Sequence, residues 1–473
     1  MTPEEFRAFG YQIVDWIAGY RTRVAEYPVM STVEPGETRT KLPAAPPDSA
    51  ESFAAILDDM DRIILPGLSH WNHPSFFGYF PANSSLASVL GDYLSSGLGV
   101  LGLNWQASPA LTELEEVVTD WMRQMLGLSE NWSGVIQDTA STSTLVALLC
   151  AREWATDHGQ TRGGLQAEAA PLVVYTSTQS HSSVEKAALL AGFGRDNVRA
   201  IETDETFAMR VDLLEQAILT DLRQGRQPCA VVATIGTTAT TAIDPLAAIA
   251  AITRQHNLWL HVDTAMAGSA MILPECRWMW QGIEEADSLV LNPHKWLGAV
   301  FDNSLFYVRD PQHLIRVMST NPSYLQTSVD AHAQVKNFRD WGIPLGRRFR
   351  ALKLWCLIRE QGLSGLQKRL RRDLANTQWL VQEVDATPHW ERLAPVPLQT
   401  VCVRHTPPGL SGDALDRHTL TWVGQLNQSG AAYLTPARLA GRWMVRVSIG
   451  AEPTELEHVR ALWARMQSEA EQF

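Results

Sequence analysis

Apolar positions recur along the chain with two different periods, and the places where one gives way to the other set the expected architecture. Phe6, Ile13, Ile17 and Tyr20 fall at helical spacing. Ahead of them Thr2-Pro3-Glu4-Glu5 has the form of a capping box with proline at the first helical position, so an amphipathic helix is predicted to open the protein. A Pro-rich connection from Pro35 to Pro47 cannot continue that helix and separates it from the next element. A detached amphipathic arm needs another surface over its apolar face, either its own chain or a subunit partner.

From about residue 80 to 350, short β-rich runs alternate with helical patterns. The runs are Leu172 to Thr176, Ala230 to Ile235, Leu258 to Val262, Ser288 to Leu291 and Ser304 to Val308; Val184 to Leu190 and Pro245 to Arg254 are apolar at helical spacing. Such alternation predicts βαβ units and a mostly parallel sheet, in which ligands bind beyond the carboxyl ends of the strands. After residue 350 come a helical stretch, strand-like runs at Ala432 to Leu434 and Trp443 to Val447, and a helix opened by Pro453 and Thr454 with Glu457. Leu456, Val459, Leu462 and Met466 form the apolar stripe of that helix. The expected division is an N-terminal helical arm (1–79), a large α/β domain (80–350) and a small C-terminal α+β domain (351–473). No internal repeat or long low-complexity tract interrupts it.

Composition narrows the class. The 473 residues exceed what one core usually supports, and 45% hydrophobic against 19% charged residues is the balance of a folded, soluble chain. Lys and Arg number 39 against 51 Asp and Glu, a net charge of -12, with no basic run, so nucleic acid is not expected as a partner. The N-terminus lacks the form of a signal peptide and no apolar stretch approaches the roughly 20 residues of a membrane span. A cytoplasmic location and no membrane contact are therefore expected. Cys150, Cys229, Cys276, Cys356 and Cys402 are scattered and odd in number, and are read as reduced, buried packing residues. His70 and His73 lie three apart without further ligands nearby, and no metal is expected.

Candidate chemistry lies where strands end. Asn292-Pro293-His294-Lys295-Trp296 follows the strand Ser288 to Leu291, and an amine among apolar neighbours tends to be neutral and nucleophilic. Asp263, in His261-Val262-Asp263-Thr264-Ala265, ends another strand, as a carboxylate beside a pyridinium nitrogen would. Asp138-Thr139-Ala140-Ser141 opens a helical pattern from Leu145 to Trp154, where free amides and hydroxyls suit a phosphate. His181 follows the strand Leu172 to Thr176 and could stack on an aromatic ring; Thr237 and Thr238 follow the strand ending at Ile235 and could bond a ring hydroxyl. Taken singly, each has an ordinary structural explanation: an exposed lysine, a turn-capping Asp, a helix cap, a structural histidine. Together they supply an anion cradle, a stacking ring, a carboxylate and an amine, in chain order and each at a strand end.

At this point the chain resembles the aromatic-L-amino-acid decarboxylases of the group II, fold-type I pyridoxal enzymes. The resemblance runs from about Phe6 to the C-terminal helix. It includes Tyr79-Phe80-Pro81, Asn104-Trp105 through Glu113-Leu114-Glu115, the Asp138 to Ser141 turn, His181 to Glu185, Asp263 to Ser269, Asn292 to Leu297, and Ile343 through Gly346 to Phe349. It implies the fold-type I pyridoxal-phosphate transferase fold, with a mostly parallel seven-stranded central sheet, pyridoxal 5'-phosphate as cofactor, and a homodimer with the active site at the subunit interface. Position by position, it implies that Lys295 carries the cofactor as a Schiff base, Asp263 pairs with the ring nitrogen, His181 stacks on the ring and Ala265 supports the other face. Thr139, Ala140, Ser141, Asn292 and His294 match positions that hold or frame the phosphate, and Thr238 one near the ring hydroxyl. Tyr324 matches the tyrosine of a mobile catalytic loop that protonates the substrate carbon after carbon dioxide leaves. Ser319 to Lys336 is polar and without a clean apolar period, as a lid would be.

The implied reaction is decarboxylation of an aromatic L-amino acid to an arylalkylamine. Tryptophan, phenylalanine, tyrosine and their hydroxylated forms stand together as candidate substrates. Trp71, Phe80, Pro81, Ala82, Leu101, Leu103 and Gly346 match or could line the side-chain slot; Leu101 and Leu103 match positions that reach the neighbouring subunit's pocket, and glycine at 346 goes with a bulky indole. Ala82, Thr264 and Met266 depart from the animal relatives, which have threonine, alanine and tyrosine there. The alternatives are an aromatic aldehyde synthase and a decarboxylase of another amino acid such as histidine.

Overall fold

Seven strands form the larger sheet: β1 (Ser133–Gln137), β2 (Leu172–Ser177), β3 (Val198–Ile201), β4 (Gln227–Thr234), β5 (Trp259–Asp263), β6 (Ser288–Leu291) and β7 (Ser304–Val308). Their order is β1-β7-β6-β5-β4-β2-β3. β3, β2, β4, β5 and β6 run parallel, and β7 is antiparallel to both β1 and β6. The computed structural model describes residues 1–320 and 335–472. Parallel neighbours require crossovers, and the helices Ser182–Leu190, Val211–Arg223 and Leu246–Gln255 follow β2, β3 and β4 as such. Every residue of β2, β5, β6 and β7 is buried, which is why these strands read as continuous apolar runs instead of alternating ones. Each fully buried aliphatic side chain, such as Leu260, Val262, Leu289 or Leu291, contributes about 1.5–3 kcal/mol.

This sheet belongs to a unit made of Ala82–Arg372 and Ala394–Thr400; a second unit comprises Met1–Pro81, Asp373–Leu393 and Val401–Phe473. The second unit carries a four-stranded sheet of β8 (Trp390–Arg392), β9 (Thr400–His405), β10 (Thr435–Leu439) and β11 (Arg442–Ser448), ordered β10-β11-β9-β8, with β10/β11 and β8/β9 antiparallel. Its opening helix, Pro3–Arg23, has the expected capping box: Thr2 Oγ1 accepts the Glu5 amide at 3.2 Å and the Thr2 amide donates to Glu5 Oε2 at 2.7 Å. None of the residues of that helix is buried. Backbone bonds Val29 N–H to Gly430 O, Phe77 N–H to Tyr433 O and Ser448 N–H to Phe77 O, each 2.9 Å, tie the following segment to the C-terminal elements of the same unit.

Several local expectations shift. The strand expected at Ala432 to Leu434 starts at Thr435, because the Asn427 side chain takes both backbone groups of Leu434, accepting from its N–H at 2.8 Å and donating to its carbonyl at 2.9 Å. The last helix is Leu456–Glu471, capped by Glu455 with His458; the Thr454 hydroxyl instead donates to Pro74 O at 2.7 Å. The Pro-rich connection contains a short helix, Glu37–Lys41, entered through Gly36 at φ 93°. β3, β8 and β9 have no counterpart among the expected runs; Val-Arg-Ala-Ile in β3 lies at the sheet edge, half exposed, and so lacks an apolar signature. All five cysteines are free and four are buried, but Cys356 is partly exposed. His70 and His73 are occupied separately, His70 Nδ1 at 2.9 Å from the Tyr20 hydroxyl and His73 Nδ1 accepting the Ser75 amide at 2.9 Å. Among the described residues no helix is long and apolar enough to cross a membrane.

Candidate active site

β4, β5 and β6 lie side by side, and the chain leaving each one is bonded to the next. Past the end of β4, the Ile235 amide donates to Asp263 O at 3.0 Å; past β5, the Thr264 amide and hydroxyl both donate to Val290 O, at 2.9 and 2.6 Å; past β6, the Asn292 amide donates to Ala265 O at 2.9 Å. Asp263, 4% exposed, accepts the Ala265 amide on Oδ1 at 2.9 Å, a local turn that fixes its carboxylate. Gly268 lets the chain return over β6, since a Cβ there would stand 2.5 Å from Leu291 Cβ and 2.6 Å from Thr264 Oγ1. The turn after β4 is closed by the Gly236 and Thr237 amides on Ala242 O, with Thr237 Oγ1 accepting the Ala242 amide; Thr237 is thereby buried and bound into the turn, while Thr238 is partly exposed.

Asn292 leads into the turn Pro293–Leu297, where the Lys295 amide bonds Asn292 O at 2.9 Å. Asn83 Nδ2 donates to Lys295 O at 3.5 Å and the buried Arg369 guanidinium donates to Trp296 O at 2.9 Å and to Leu297 O. Gly298, at φ 103°, ends the turn in a conformation that glycine adopts without strain. His294 is buried; its Nδ1 accepts the Asn303 amide at 2.9 Å, so the neutral ring carries its proton on Nε2. Burial foremost, and then the Lys295 cation, pushes the His294 pKa down to about 4, which keeps the ring neutral at pH 7.

His181 caps the helix Ser182–Leu190 with Nδ1 accepting the Ser183 amide at 3.1 Å, which again leaves the proton on Nε2. Its ring is exposed at this edge of the sheet. Desolvation by the surrounding protein lowers its pKa, the Asp263 carboxylate opposes that, and the Lys295 cation adds to it, so both charged groups lie within electrostatic reach of the His181 ring. Thr139 caps the helix Ala140–Ala155, and the amides of Ala140 and Ser141 belong to the first turn, where no intrahelical acceptor exists.

Ten of the expected residues thus lie at the carboxyl ends of β1, β2, β4, β5 and β6 or in the segments that follow them: Thr139, Ala140, Ser141, His181, Thr238, Asp263, Ala265, Asn292, His294 and Lys295. Of the slot residues, Leu101 is exposed and Leu103 partly buried; Gly102 between them donates to Arg347 O at 2.8 Å, and Leu103 O accepts the Arg339 amide at 3.2 Å. That strap brings Leu101 and Leu103 to the segment that carries Gly346, which is exposed, with nothing among the described residues within 4 Å of an added Cβ. Ala82, partly exposed, begins the same unit. Trp71, Phe80 and Pro81 belong to the other unit: Trp71 stacks on Phe76 and Tyr79, Phe80 lies under the Arg446 guanidinium, and Pro81 is buried. Tyr324 lies outside the described residues. Asn83 and Arg369, which grip the Lys295 turn from far away in sequence, leave no trace in local spacing.

The donor set fits a phosphorylated pyridine aldehyde: an anion cradle, a carboxylate for the ring nitrogen, an exposed ring for stacking and an amine. Among the described residues the buried Asn292 Oδ1 has no hydrogen-bond partner, a cost of about 1–3 kcal/mol that a polar ligand beyond β6 would relieve. Fold and site together define a pyridoxal-phosphate enzyme of fold type I.

Residues 35–406 match the profile described as "Pyridoxal-dependent decarboxylase conserved domain". The chain is 40% identical to a phenylacetaldehyde synthase of Arabidopsis thaliana over 99% of this chain and 96% of that protein. It is also 40% identical to tyrosine decarboxylase 4 of Petroselinum crispum, over 100% of this chain and 94% of that one. The crystal structure of Oryza sativa TDC with PLP and tryptamine superposes with a TM-score of 0.97 at 34% identity, covering 100% of this chain and 99% of that chain. The chain belongs to the pyridoxal-dependent decarboxylase family and is a carboxy-lyase that uses pyridoxal 5'-phosphate.

Proposed function

We propose that the protein decarboxylates aromatic L-amino acids to arylalkylamines and carbon dioxide, with Lys295 as the amine that holds the cofactor. The observation that carries this reading is the electrostatic proximity of Lys295, Asp263 and His181 at one edge of the sheet. When bound, the cofactor supplies an electron sink for the pair left behind as the carboxylate departs. Asp263 holds the ring nitrogen in its protonated form; His181 covers one face of the ring and Ala265 the other. Thr139, Ala140, Ser141 and Asn292 bind the phosphate, and His294 presents its Nε2 proton toward that group. Thr238 bonds the ring hydroxyl. Tyr324 returns a proton to the substrate carbon, the step that makes an amine the product.

Ala82, Leu101, Leu103 and Gly346 are proposed to line the side-chain slot, and the space left at Gly346 by the described residues supports a ring as large as indole. A homodimer is part of the proposal. It is supported by the exposed stripe Leu86, Leu90, Tyr93, Leu94 and Leu98 on the helix Leu86–Leu98 and by exposed Phe6, Tyr11 and Val14 on the opening helix. The free cysteines support a reducing compartment, and we place the protein in the cytoplasm. The likeness to a phenylacetaldehyde synthase favours one second reading, an aldehyde synthase that oxidatively deaminates the same substrates.

Borohydride reduction of the holoenzyme followed by peptide mapping tests the site; the label is expected on Lys295, and a label elsewhere overturns it. Incubation with an equimolar mixture of aromatic amino acids, reading amines, aldehydes and peroxide, separates the two reactions. Amine without peroxide is expected; aldehyde with stoichiometric peroxide supports the second reading.

A further inference from the structure

We propose that Asp302, held between Arg350 and Lys353, is a positioning residue that fixes the turn bearing His294 and Lys295 to the head of the helix Arg350–Ala386. The inference rests on the reading of Lys295 as the cofactor-holding amine.

Lys353 is a cation with no exposed surface, 3.2 Å from Asp92 Oδ1 and 3.7 Å from Asp302 Oδ1. Arg350 binds both Asp302 oxygens, at 3.1 and 2.9 Å, and Arg348 binds both Asp92 oxygens at 3.2 Å. Only Lys353 is fully buried in this network, Arg348 being 48% exposed, and such partly buried ion pairs add little net stability because desolvation and solvent screening consume most of the Coulombic gain. What the network does supply is directional geometry. Asn303, next to Asp302, donates its amide to His294 Nδ1 at 2.9 Å and accepts the His294 amide on its carbonyl at 3.3 Å, while its side chain donates to Arg350 O at 3.1 Å. The path from Arg350 to Lys295 therefore alternates hydrogen bonds, Arg350 to Asp302 and Asn303 to His294, with the peptide bonds that join Asp302 to Asn303 and His294 to Lys295. Gly346, at the proposed substrate slot, precedes Arg350 on the same segment, so one anchor serves both the slot and the amine. A displacement of about 1 Å at a reacting group can cost about 100-fold in rate.

The charges around the Lys295 turn come from every element packed on it. Asp263 ends β5 and His181 caps the helix after β2; His294 lies on the turn, Arg369 donates to its carbonyls, Asp302 follows it in the chain, and Lys353, Arg348, Arg350 and Asp92 stand around Asp302. Asp302 and Lys353 act on His294 with opposite signs, and on the proposal the same signs carry to a protonated nitrogen at position 295, one residue further along.

The test compares Asp302→Asn, Lys353→Met, the double variant and Lys295→Ala with the wild-type holoenzyme. The readouts are the pyridoxal 5'-phosphate dissociation constant, from tryptophan fluorescence of the apoprotein, and the pH midpoint of the visible cofactor band. Both single variants are expected to bind the cofactor about tenfold or more weakly. The midpoint should fall in Asp302→Asn, which loses a negative charge, and rise in Lys353→Met, which loses a positive one. Should a single variant not fold, the double variant removes both charges together; it is expected to fold, to keep the weakened binding and to show a smaller midpoint shift. Wild-type affinity with unmoved midpoints, or midpoints moving the same way in both single variants, overturns the proposal. A visible band surviving in Lys295→Ala sinks the underlying reading instead; its loss there, with wild-type behaviour of the other variants, sinks the positioning role alone.

Discussion

Arg347 and Glu115 meet in a buried bidentate ion pair, Nη2 to Oε1 at 2.6 Å and Nη1 to Oε2 at 3.0 Å, with the side chains 5% and 0% exposed. Both also hold Ile136, Glu115 Oε1 accepting its amide at 2.9 Å and Arg347 donating to its carbonyl at 2.7 Å, so the pair clamps the end of β1 just before the Thr139 turn. Glu115→Gln or Arg347→Met leaves one charge buried alone and is expected to destabilise the protein by about 3–5 kcal/mol. Urea unfolding measures this, and the double variant should recover much of the loss; additive losses would show that the two side chains act separately.

Asp263 is buried and its carboxylate is aligned by its own turn. Asp263→Asn keeps the shape and removes the charge, so kcat is expected to fall about 100- to 1000-fold while far-ultraviolet circular dichroism stays unchanged. A fall of less than about tenfold in steady-state rate would remove Asp263 from its assigned role.

An added Cβ at Gly346 meets nothing within 4 Å among the described residues. Gly346→Ser should therefore fold with an unfolding free energy within about 0.5 kcal/mol of wild type. Its ratio of kcat/KM for tyrosine over tryptophan is expected to rise about tenfold, since a hydroxyl partner is gained and room for the indole is lost. An unchanged ratio would put Gly346 outside the slot.

Tyr324→Phe keeps the ring and removes the proton donor. Amine formation should drop by about 100-fold, within the usual range for a general acid, with aldehyde and peroxide appearing in its place. Unaltered amine yield measured by mass would assign the protonation to another group.

His73, His261, His294 and His405 each have their pKa lowered to about 4, primarily by burial, against 6.5 when unfolded. Between pH 6.5 and 4 the unfolded chain binds protons that the folded protein refuses, so these four groups remove stability as pH falls. Asp244 and Asp287, raised by burial to about 6, act in the opposite sense between pH 6 and 3.8, where the folded form binds the proton first. Four histidines outweigh two carboxylates, and stability should decline on acidification through this window. His261→Gln should flatten the slope by up to about 1.4 kcal/mol per pH unit in urea titrations at successive pH values; an identical slope would count against the buried neutral His261.

Local order told much of this in advance. The capping box at Thr2, the parallel strands read from unbroken apolar runs, and the positions of Asp263 at a strand end and Lys295 just past one all follow from periodicity and covalent adjacency, which act over a few residues. Strands without an apolar signature, such as β3 at the sheet edge, escaped it. The start of β10 did too, because the Asn427 amide captures Leu434 only once the helix and strand are packed. Tertiary structure alone decided which charges are paired in the interior: Glu115 with Arg347, and Asp302 with Arg350 and Lys353. A carboxylate looks the same in sequence whether it faces water or a guanidinium, and only the meeting of distant segments removes the water and makes the partner matter.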